Sequence, residues 1–351
     1  MHQDHEKREM NALVWLGPRT MEMRFEPVPE TAAGDVLIEV DVAGICGSEL
    51  SGYLGQNALR KPPLIMGHEA VGRLVQINGE PLADGSSGRV GTRVTFNPLI
   101  VCGSCDRCRA GYSNLCRRRQ LIGAQRPGAF ARFVAVPAAQ CWPLPDELPD
   151  VVGALTEPLA CAVRAVSLSQ AQPGMRLLIL GVGPIGLFCL AAARAQGIEA
   201  VLVSDLSRPR LEVARRWGAQ EAINAREEDV VAVVHELVPG GVDAVIDAVG
   251  ATVTRAQGLK AVVPGGRVVV IGLHDEESLV EMNYVVRQEV TIVGCFAYSK
   301  DDFGRAFALL TRGLIQAGAD WLEERPLAAG PEAFAELVDG TARATKIVLR
   351  V

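Results

Sequence analysis

The sequence has few aromatic residues, no excess of basic residues and no apolar run long enough to cross a membrane. Aromatic residues make up 5% of its 351 positions, and the formal net charge at pH 7 is −6. A nucleic-acid-binding protein would carry a basic face, so this charge argues against that class. A membrane-spanning helix needs about 20 successive apolar residues, which the sequence does not offer. We therefore expect neither nucleic acid nor membrane as a partner.

The sequence also lacks an N-terminal export signal. Its first ten residues, MHQDHEKREM, are polar and contain no apolar segment of the kind that a signal peptide requires. Nine cysteines without an export signal indicate a reducing compartment, where clustered thiols bind metal more often than they form disulfides. We therefore expect a cytoplasmic protein, and its length predicts roughly two domains.

A glycine-rich segment in the middle of the chain predicts a dinucleotide site. Residues 176–205 read as a buried strand, a G-x-G-x-x-G turn, a helix and a second strand that ends in an acid. The glycines let the backbone approach a pyrophosphate, the helix N-terminus supplies N–H groups, and the acid accepts from a ribose hydroxyl. The residues predicted to bind the cofactor are Gly181, Gly183, Pro184, Ile185, Gly186, Asp205, Arg210, Val249 and Gly272.

The acid at the end of the second strand favours NAD over NADP. Asp205 would accept from both ribose hydroxyls of NAD and would repel the 2′-phosphate of NADP. Arg208 and Arg210 follow closely, and an arginine is how such sites accept that phosphate. The position of the acid is the stronger of the two signals, so we expect NAD to be the cofactor.

Strands and helices alternate strictly around this segment. The predicted strands are Leu177–Gly181, Val201–Asp205, Ala222–Asn224, Ala244–Asp247, Val268–Gly272 and Val290–Cys295. The predicted helices are Pro184–Ala195, Pro209–Trp217, Asp229–Val238 and Thr254–Val263. This alternation is typical of a doubly wound α/β fold with a parallel sheet. After Phe296 the pattern predicts one more helix, Asp302–Arg312.

Residues 11–145 follow a different pattern. Short apolar runs are separated by turn residues, as at Val36–Ala43, Ala70–Ile77, Gly91–Phe96 and Ala129–Val136. Runs of this length and spacing are typical of an antiparallel, barrel-like β domain.

Four cysteines in one short loop predict a structural zinc site. They follow the spacing C-x2-C-x2-C-x7-C and are Cys102, Cys105, Cys108 and Cys116. Four thiolates supply a closed tetrahedral shell with no open position, which stabilises a loop and performs no catalysis. Two disulfides are the alternative interpretation, and the reducing context argues against it.

Two further segments carry isolated metal donors. Residues 44–50 read GICGSEL and contain Cys46, while residues 67–69 read GHE and contain His68. Either residue alone is more often a buried core side chain than a ligand. Zinc in open catalytic sites accepts cysteine sulfur, histidine nitrogen and carboxylate oxygen. Beside a dinucleotide-binding fold, these donors therefore predict a second, catalytic zinc.

Five segments together make the sequence resemble the zinc-dependent medium-chain dehydrogenases/reductases. They are GICGSEL, GHEAVG, the four-cysteine loop, TEPLACAVRA at residues 156–165, and GVGPIG. The resemblance is to the polyol dehydrogenase branch, which includes sorbitol, threonine and galactitol-phosphate dehydrogenases. It implies a GroES-like β-barrel at residues 10–156, a Rossmann cofactor domain at 157–296, and a C-terminal segment, 297–351, that returns to the barrel.

The resemblance also implies an active site and a reaction. Cys46 and His68 would be catalytic zinc ligands, Glu69 and Glu157 the carboxylates of that site, and Ser48 the hydroxyl that takes the substrate proton. The implied reaction transfers a hydride from a secondary alcohol or polyol to NAD, giving a ketone, and also runs in reverse. Members of the family assemble, so we expect a homodimer or homotetramer.

Two departures from the sorbitol-type pattern leave the substrate open. Many relatives read C-G-[ST]-D-x-H, whereas this sequence has Glu49 in place of the aspartate and Ser51 in place of the histidine. Ala297 aligns with an arginine that contacts substrate hydroxyls in sorbitol-type enzymes. A smaller diol, an aminopolyol or a cyclic polyol would each be compatible with these residues.

Two other functions remain as alternatives. One is a quinone or enone reductase of the zinc-free branch, against which Cys46, His68 and Glu157 argue. The other is a non-catalytic protein that binds zinc and nucleotide, because a fold alone does not determine a function.

Overall fold

A computed structural model describes residues 8–315 and 318–351 of the chain. The export-signal prediction rests on residues 1–10, of which the first seven lie outside that part. The chain divides into two compact units, one made from the chain up to Glu157 and from Leu310 onward, the other from Pro158–Leu309. The return to the first unit thus comes at Leu310, whereas the sequence analysis places it at residue 297.

Among the described residues the first unit begins with ten strands and three helices, and a fourth helix, Thr156–Ser169, starts there and runs mostly in the second unit. The strands are β1 (Glu9–Gly17), β2 (Thr20–Pro27), β3 (Asp35–Gly44), β4 (Leu64–Ile65), β5 (Glu69–Gln76), β6 (Arg93–Phe96), β7 (Leu99–Ile100), β8 (Gln120–Leu121), β9 (Phe133–Pro137) and β10 (Cys141–Pro143). The helices are α1 (Gly47–Tyr53), α2 (Asp106–Arg109), α3 (Asp150–Gly153) and α4 (Thr156–Ser169). All pairings among these ten strands are antiparallel, which confirms the predicted pattern.

The second unit is an α/β layer structure. Its strands are β11 (Arg176–Leu180), β12 (Ala200–Asp205), β13 (Glu221–Asn224), β14 (Val242–Asp247), β15 (Val262–Val270) and β16 (Thr291–Gly294). Its helices are α5 (Pro184–Ala195), α6 (Arg208–Arg216), α7 (Val230–Leu237), α8 (Thr252–Ala261), α9 (Met282–Arg287) and α10 (Lys300–Thr311). The sheet order is β13-β12-β11-β14-β15-β16, and every pairing is parallel. The predicted doubly wound fold is confirmed.

The chain then returns to the first unit through β17 (Leu322–Pro326), α11 (Gly330–Asp339) and β18 (Lys346–Arg350). Because α11 crosses between them, β17 and β18 pair in parallel. They extend a seven-stranded sheet of order β10-β6-β5-β3-β18-β17, in which β9 also pairs with β3. The prediction of a single helix after Phe296 is wrong, since α11 follows α10.

Each unit has its own apolar core. In the first, Phe334 of α11 packs against Tyr53 and Phe130, with ring centroids 5.4 Å and 5.8 Å away. In the second, Leu178 and Val245 belong to a cluster of buried side chains on the parallel strands. These cores form a rigid base for the loops at the strand ends, where the predicted site residues lie.

One helical stretch within the described residues is long and apolar enough to cross a membrane by length and composition. It covers Asp150–Ser169, with a mean hydropathy of 1.5, although the sequence analysis found no run of membrane length. The structure buries 72% of it inside the protein. This burial is typical of a core helix, and the stretch is therefore weak evidence for a membrane span.

Candidate active site and zinc lobe

The ends of two neighbouring strands bring three metal donors together. Cys46 lies between β3 and α1, and His68 immediately precedes β5, whose first residue is Glu69. Strands β3 and β5 are antiparallel neighbours, with Gly44 opposite Glu69. As a result, one donor atom from each of Cys46, His68 and Glu69 lies within 4.8 Å of the others. Both His68 and Glu69 are buried.

The Glu49 side chain holds the segments that carry Cys46 and His68 together. It is fully buried, and its Oε2 accepts a hydrogen bond from the Cys46 N–H at 3.1 Å. Its Oε1 accepts from the Gly67 N–H at 2.7 Å and lies 2.7 Å from His68 Nδ1. One carboxylate therefore ties the start of α1 to the GHE segment and leaves Nε2 as the ring nitrogen available to a metal. The sequence analysis assigned Glu49 no such role.

His68 and Glu49 each stabilise the charged form of the other. Burial lowers the pKa of His68, but the Glu49 carboxylate and the Cys46 sulfur raise it well above its usual value in the metal-free chain. Burial raises the pKa of Glu49, yet the His68 ring and the charge of Arg60 lower it overall. Glu49 is therefore a carboxylate that attracts a cation, or a metal-bound imidazole, at His68.

Lys346 is a second residue that the sequence analysis missed. Its ammonium group contacts Glu69 Oε2 and donates to the Ile45 carbonyl at 2.8 Å. Burial lowers the pKa of Lys346, but Glu69 and Cys46 raise it above its usual value, so the side chain stays charged. A lysine at the start of an apolar terminal strand was the available sequence signal.

The donor set fits a catalytic zinc ion. Glu69 Oε1 is buried and has no hydrogen-bond partner within the part of the chain that the structure describes. A buried carboxylate oxygen is rarely left unsatisfied, and one oxygen of the Glu69 carboxylate lies within 4.8 Å of donor atoms of Cys46 and His68. Sulfur, nitrogen and oxygen are the donors that zinc takes in open sites. Glu157 is buried in the first turn of α4 and does not belong to this group.

Two serines of α1 lie beside the cluster. The Ser48 hydroxyl donates to Cys46 Sγ at 3.5 Å, which turns its proton towards the metal donors. The Ser51 hydroxyl donates to the Ser48 carbonyl at 2.9 Å and so faces the helix backbone. The two hydroxyl groups thus point in different directions, and only that of Ser48 points towards the donor cluster.

The four-cysteine loop forms a compact thiol cluster. Its Sγ atoms lie 3.4 Å apart for Cys102 and Cys116, 3.5 Å for Cys105 and Cys108, and 4.0 Å for Cys102 and Cys108. A disulfide needs about 2.05 Å, so none is formed here, and none of the nine cysteines, all within the described residues, is part of a disulfide. The arrangement suits four thiolates around one zinc.

Backbone and arginine groups stabilise negative charge in this lobe. The N–H groups of Ser104 and Cys105 lower the pKa of the Cys102 thiol to about 5. Arg118 adds to this effect and also donates to the Ser104 hydroxyl at 2.9 Å. Arg117 donates to Asp106 at 2.8 Å and 3.0 Å. Arg117 and Arg118 therefore stabilise the lobe.

The glycine turn of the second unit has the geometry of a phosphate cradle. Gly181 has φ of 85°, and Gly183 is the N-cap of α5, followed by Pro184 and Ile185. A Cβ at Gly183 would meet nothing within 4 Å. Open space above an N-cap glycine, at the start of a 12-residue helix, is where a pyrophosphate would fit.

Asp205 is anchored beside this turn. Its Oδ2 accepts from the Val182 N–H at 2.9 Å and its Oδ1 from the Ser207 N–H at 2.8 Å. The end of β12 is thereby joined to the turn after β11. The predicted acid thus lies beside the turn, as a ribose contact requires.

The ends of β14 and β15 meet next to the same turn. The carbonyl of Asp247 accepts from the Gly272 N–H at 2.9 Å, and its carboxylate accepts from the Val249 N–H at 3.0 Å. A Cβ added at Gly181 would collide with the Val249 side chain. The structure therefore brings Gly181, Val249 and Gly272 together at the carboxyl edge of the sheet, where β11 and β14 are neighbours and the strand order reverses.

Comparison with known proteins identifies the family. Residues 32–146 match the model of the alcohol dehydrogenase GroES-like domain, and residues 184–312 match that of the zinc-binding dehydrogenase. The chain belongs to the zinc-binding dehydrogenases. This confirms the resemblance drawn from the motifs and, with it, a GroES-like and a Rossmann domain in an oxidoreductase of the alcohol and polyol dehydrogenase class.

Three relatives illustrate the breadth of this dehydrogenase family. L-threonine 3-dehydrogenase of Pyrococcus horikoshii is 39% identical over 76% of this chain and 77% of its own. Sorbitol dehydrogenase of Bacillus subtilis is 30% identical over 88% of each chain. A solved zinc-binding dehydrogenase of Sinorhizobium meliloti, bound to NADP, has a TM-score of 0.88 at 30% identity and covers 98% of this chain and 100% of its own.

Proposed function

We propose that this dehydrogenase oxidises a secondary alcohol or polyol to a ketone, with zinc at Cys46, His68 and Glu69 and with NAD in the Rossmann unit. The observation that carries the proposal is the donor cluster itself, three unlike zinc ligands within 4.8 Å of one another. The orphaned oxygen of Glu69 supports it, since that atom needs a partner. Bound zinc would acidify the alcohol, and bound NAD would accept the hydride.

The residues of the chain have separate tasks in this reaction. Ser48 lies beside the donor cluster, where its oxygen would accept the substrate proton while its own proton leaves to water. Glu49 holds the His68 ring in one tautomer, and Lys346 balances the charge of Glu69. Glu157 is buried and lies outside the donor cluster, and we propose that it exchanges with Glu69 as a ligand.

A panel of secondary alcohols and polyols tests the proposal. The zinc-loaded protein is incubated with NAD and each compound, and NADH formation is followed by absorbance. We expect turnover with at least one diol, aminopolyol or cyclic polyol. If no compound reduces the nicotinamide while the cofactor still binds, the protein is a zinc and nucleotide-binding protein without this activity. Turnover that is independent of zinc would indicate the quinone or enone reductase alternative.

We propose NAD as the preferred cofactor. Asp205 is held beside the glycine turn by two N–H groups, so a 2′-phosphate would be placed against its charge. Arg208 is already paired with Glu227 at 2.6 Å, whereas Arg210 makes no hydrogen bond or ion pair in the described chain. We expect kcat/KM with NAD to exceed that with NADP roughly tenfold or more, about 1.4 kcal/mol.

Two variants locate the source of this preference. Asp205→Asn should bring the kcat/KM values for NAD and NADP close together, because the repulsive charge is gone while the side chain keeps its shape. Glu227→Gln frees Arg208 and serves as the matched control, with a smaller gain for NADP. Equal efficiency of the wild-type protein with both cofactors would show that Arg210 outweighs Asp205.

We propose that the chain forms a homodimer or homotetramer through the β16 edge. Strand β16 ends the six-stranded sheet, and apolar side chains near it are exposed, with Leu279 at 91%, Val286 at 70% and Ile292 at 42%. An exposed apolar edge strand is a template for pairing with a second copy. Light scattering of Ile292→Lys should show smaller particles than the wild type. The control is Val90→Lys, at a position 71% exposed in the first unit. A monomeric wild type at micromolar concentration would refute the proposal.

We further propose a cytoplasmic location. The support is chemical, since nine cysteines without a disulfide, four of them clustered as metal donors, suit a reducing compartment.

A further inference from the structure

Arg60 is a buried cation in an otherwise exposed loop of the first unit. Within residues 55–63, all of them described, its neighbours are exposed or half-buried, whereas Arg60 retains 4% of its accessible surface. Arginine is almost never buried unless its donors are used. The contacts of the guanidinium therefore have to account for its burial.

Both outer nitrogens of the guanidinium bind one residue, Ser48. Arg60 Nη1 donates to the Ser48 carbonyl at 3.0 Å, and Nη2 donates to the Ser48 hydroxyl oxygen at 3.2 Å. The remaining nitrogen, Nε, is buried and has no hydrogen-bond partner among the described residues. The buried guanidinium of Arg60 thus makes its side-chain hydrogen bonds to Ser48, the residue whose hydroxyl faces the metal donors.

Helix α1 has a gap that admits this side chain. A Cβ at Gly52 would lie 2.6 Å from Arg60 Cδ and 3.4 Å from Nε. Glycine inside a helix costs about 1 kcal/mol relative to alanine, so its presence needs a packing reason. The passage of Arg60 across α1 supplies that reason. Gly52 and Arg60 therefore form a matched pair.

The contact settles the direction of the Ser48 proton. A hydroxyl has one hydrogen to donate and two lone pairs to accept with, and arginine can only donate. Since Nη2 occupies one lone pair of the Ser48 oxygen, the hydroxyl hydrogen cannot point at Arg60. It points at Cys46 Sγ, 3.5 Å away. The second lone pair stays available to a substrate hydroxyl.

We propose that Arg60 is a positioning residue that holds the Ser48 oxygen so that its free lone pair accepts the substrate proton while the hydroxyl's own proton leaves to water. The inference rests on the proposed dehydrogenase function and names a residue outside the metal donors and the cofactor turn. A planar guanidinium can hold two oxygens of one residue in a fixed geometry, which a lysine ammonium group cannot do as well. The loss of Arg60 should act mainly through Ser48, and Arg60→Lys, which keeps the positive charge that lowers the pKa of Glu49, separates this effect from the loss of charge.

The kinetic test is a double-mutant cycle on zinc-loaded protein. Arg60→Met should lower kcat about thirtyfold, somewhat less than the roughly hundredfold expected for removing the hydroxyl itself with Ser48→Ala. The KM values for alcohol and NAD and the zinc content should change little. Adding Arg60→Met to Ser48→Ala should cost less than twofold. Equal losses in both backgrounds would overturn the proposal, because Arg60 would then act independently of Ser48.

Three further variants separate positioning from a structural role. Arg60→Lys should recover part of the lost kcat, and Gly52→Ala, which displaces the guanidinium without removing its charge, should reproduce much of the loss. Ser51→Ala removes another hydrogen bond to the Ser48 carbonyl but none to its hydroxyl, and should be nearly neutral. If Ser51→Ala were as damaging as Arg60→Met, support of the backbone and not of the hydroxyl would explain the effect.

A spectroscopic readout decides the matter even if the wild type oxidises no alcohol in the panel. With Co²⁺ in place of the catalytic zinc only, the absorption of the Cys46–cobalt pair responds to the hydrogen bond that Cys46 Sγ accepts. Ser48→Ala should shift this band, and Arg60→Met should shift it in the same direction with no further change in the double variant. An unshifted band in Arg60→Met, beside a shifted band in Ser48→Ala, would overturn the proposal.

Discussion

Replacing Cys46 with serine should remove one of two zinc ions and lower kcat by about a thousandfold. A serine hydroxyl is a far weaker zinc donor than a thiolate, and the Lewis-acid contribution of a catalytic metal is several kcal/mol, about 1.4 kcal/mol for each factor of ten. The zinc of the four-cysteine lobe should stay, because its donors come from a separate loop. Zinc per chain by atomic absorption, together with kcat for an accepted alcohol, measures both effects.

The matched variant is Cys105→Ser, which should give the opposite pattern. The lobe would lose its zinc and the protein its thermal stability, since a closed thiolate shell contributes to folding. The folded fraction should keep its catalytic zinc and most of its kcat. A fully loaded wild type with a single zinc per chain would contradict the two-site proposal. So would a Cys46→Ser protein that loses both ions.

The cofactor unit could be predicted because its signals are local. Five of the six parallel strands end at a glycine or an acid or within two residues of one, and the helices between them have the spacing that such a fold needs. All six predicted strands are present, with ends shifted by a few residues, or six at the start of β15. Helix α9 was missed because none of its six residues is buried, so it carries no apolar periodicity.

Helix α11 was missed although local signals were present. Proline stands in its first turn, and Gly340, with φ of 70°, ends it in the left-handed conformation that favours glycine. Phe334 anchors it against Tyr53 and Phe130. No helix is predicted for this region from the sequence, and the capping pattern would have indicated one.

The donor residues could be predicted from motifs, but the residues that position them could not. Cys46 and His68 stand in recognisable segments, whereas Lys346 lies 277 positions from Glu69. Arg60 reaches Ser48 from an exposed loop. The contact between Lys346 and Glu69 depends on the pairing of β3 with both β5 and β18. The contact between Arg60 and Ser48 depends on the space left by Gly52. Long-range contacts of this kind leave no periodic trace in a sequence.

Replacing Lys346 with methionine should destabilise the metal-free protein strongly. The variant leaves the Glu69 carboxylate buried without its counter-charge, and removing one partner of a buried ion pair costs about 3–5 kcal/mol. For a unit of this size such a loss lowers the melting temperature by roughly 10 °C. Because zinc beside Glu69 would supply positive charge, we expect the loss to be smaller in the zinc-loaded protein. Calorimetry of the metal-free and zinc-loaded forms measures the difference.

The same substitution should also lower kcat while raising zinc affinity. Without the ammonium group, Glu69 keeps its full negative charge at the metal donors, and surplus negative charge weakens the ability of zinc to acidify an alcohol. Lys346→Arg retains the charge and is the matched control, and Glu69→Gln combined with Lys346→Met should restore much of the stability by removing the unpaired carboxylate. If the metal-free Lys346→Met protein melted like the wild type, the Lys346–Glu69 ion pair would contribute nothing to stability, and this prediction would be wrong.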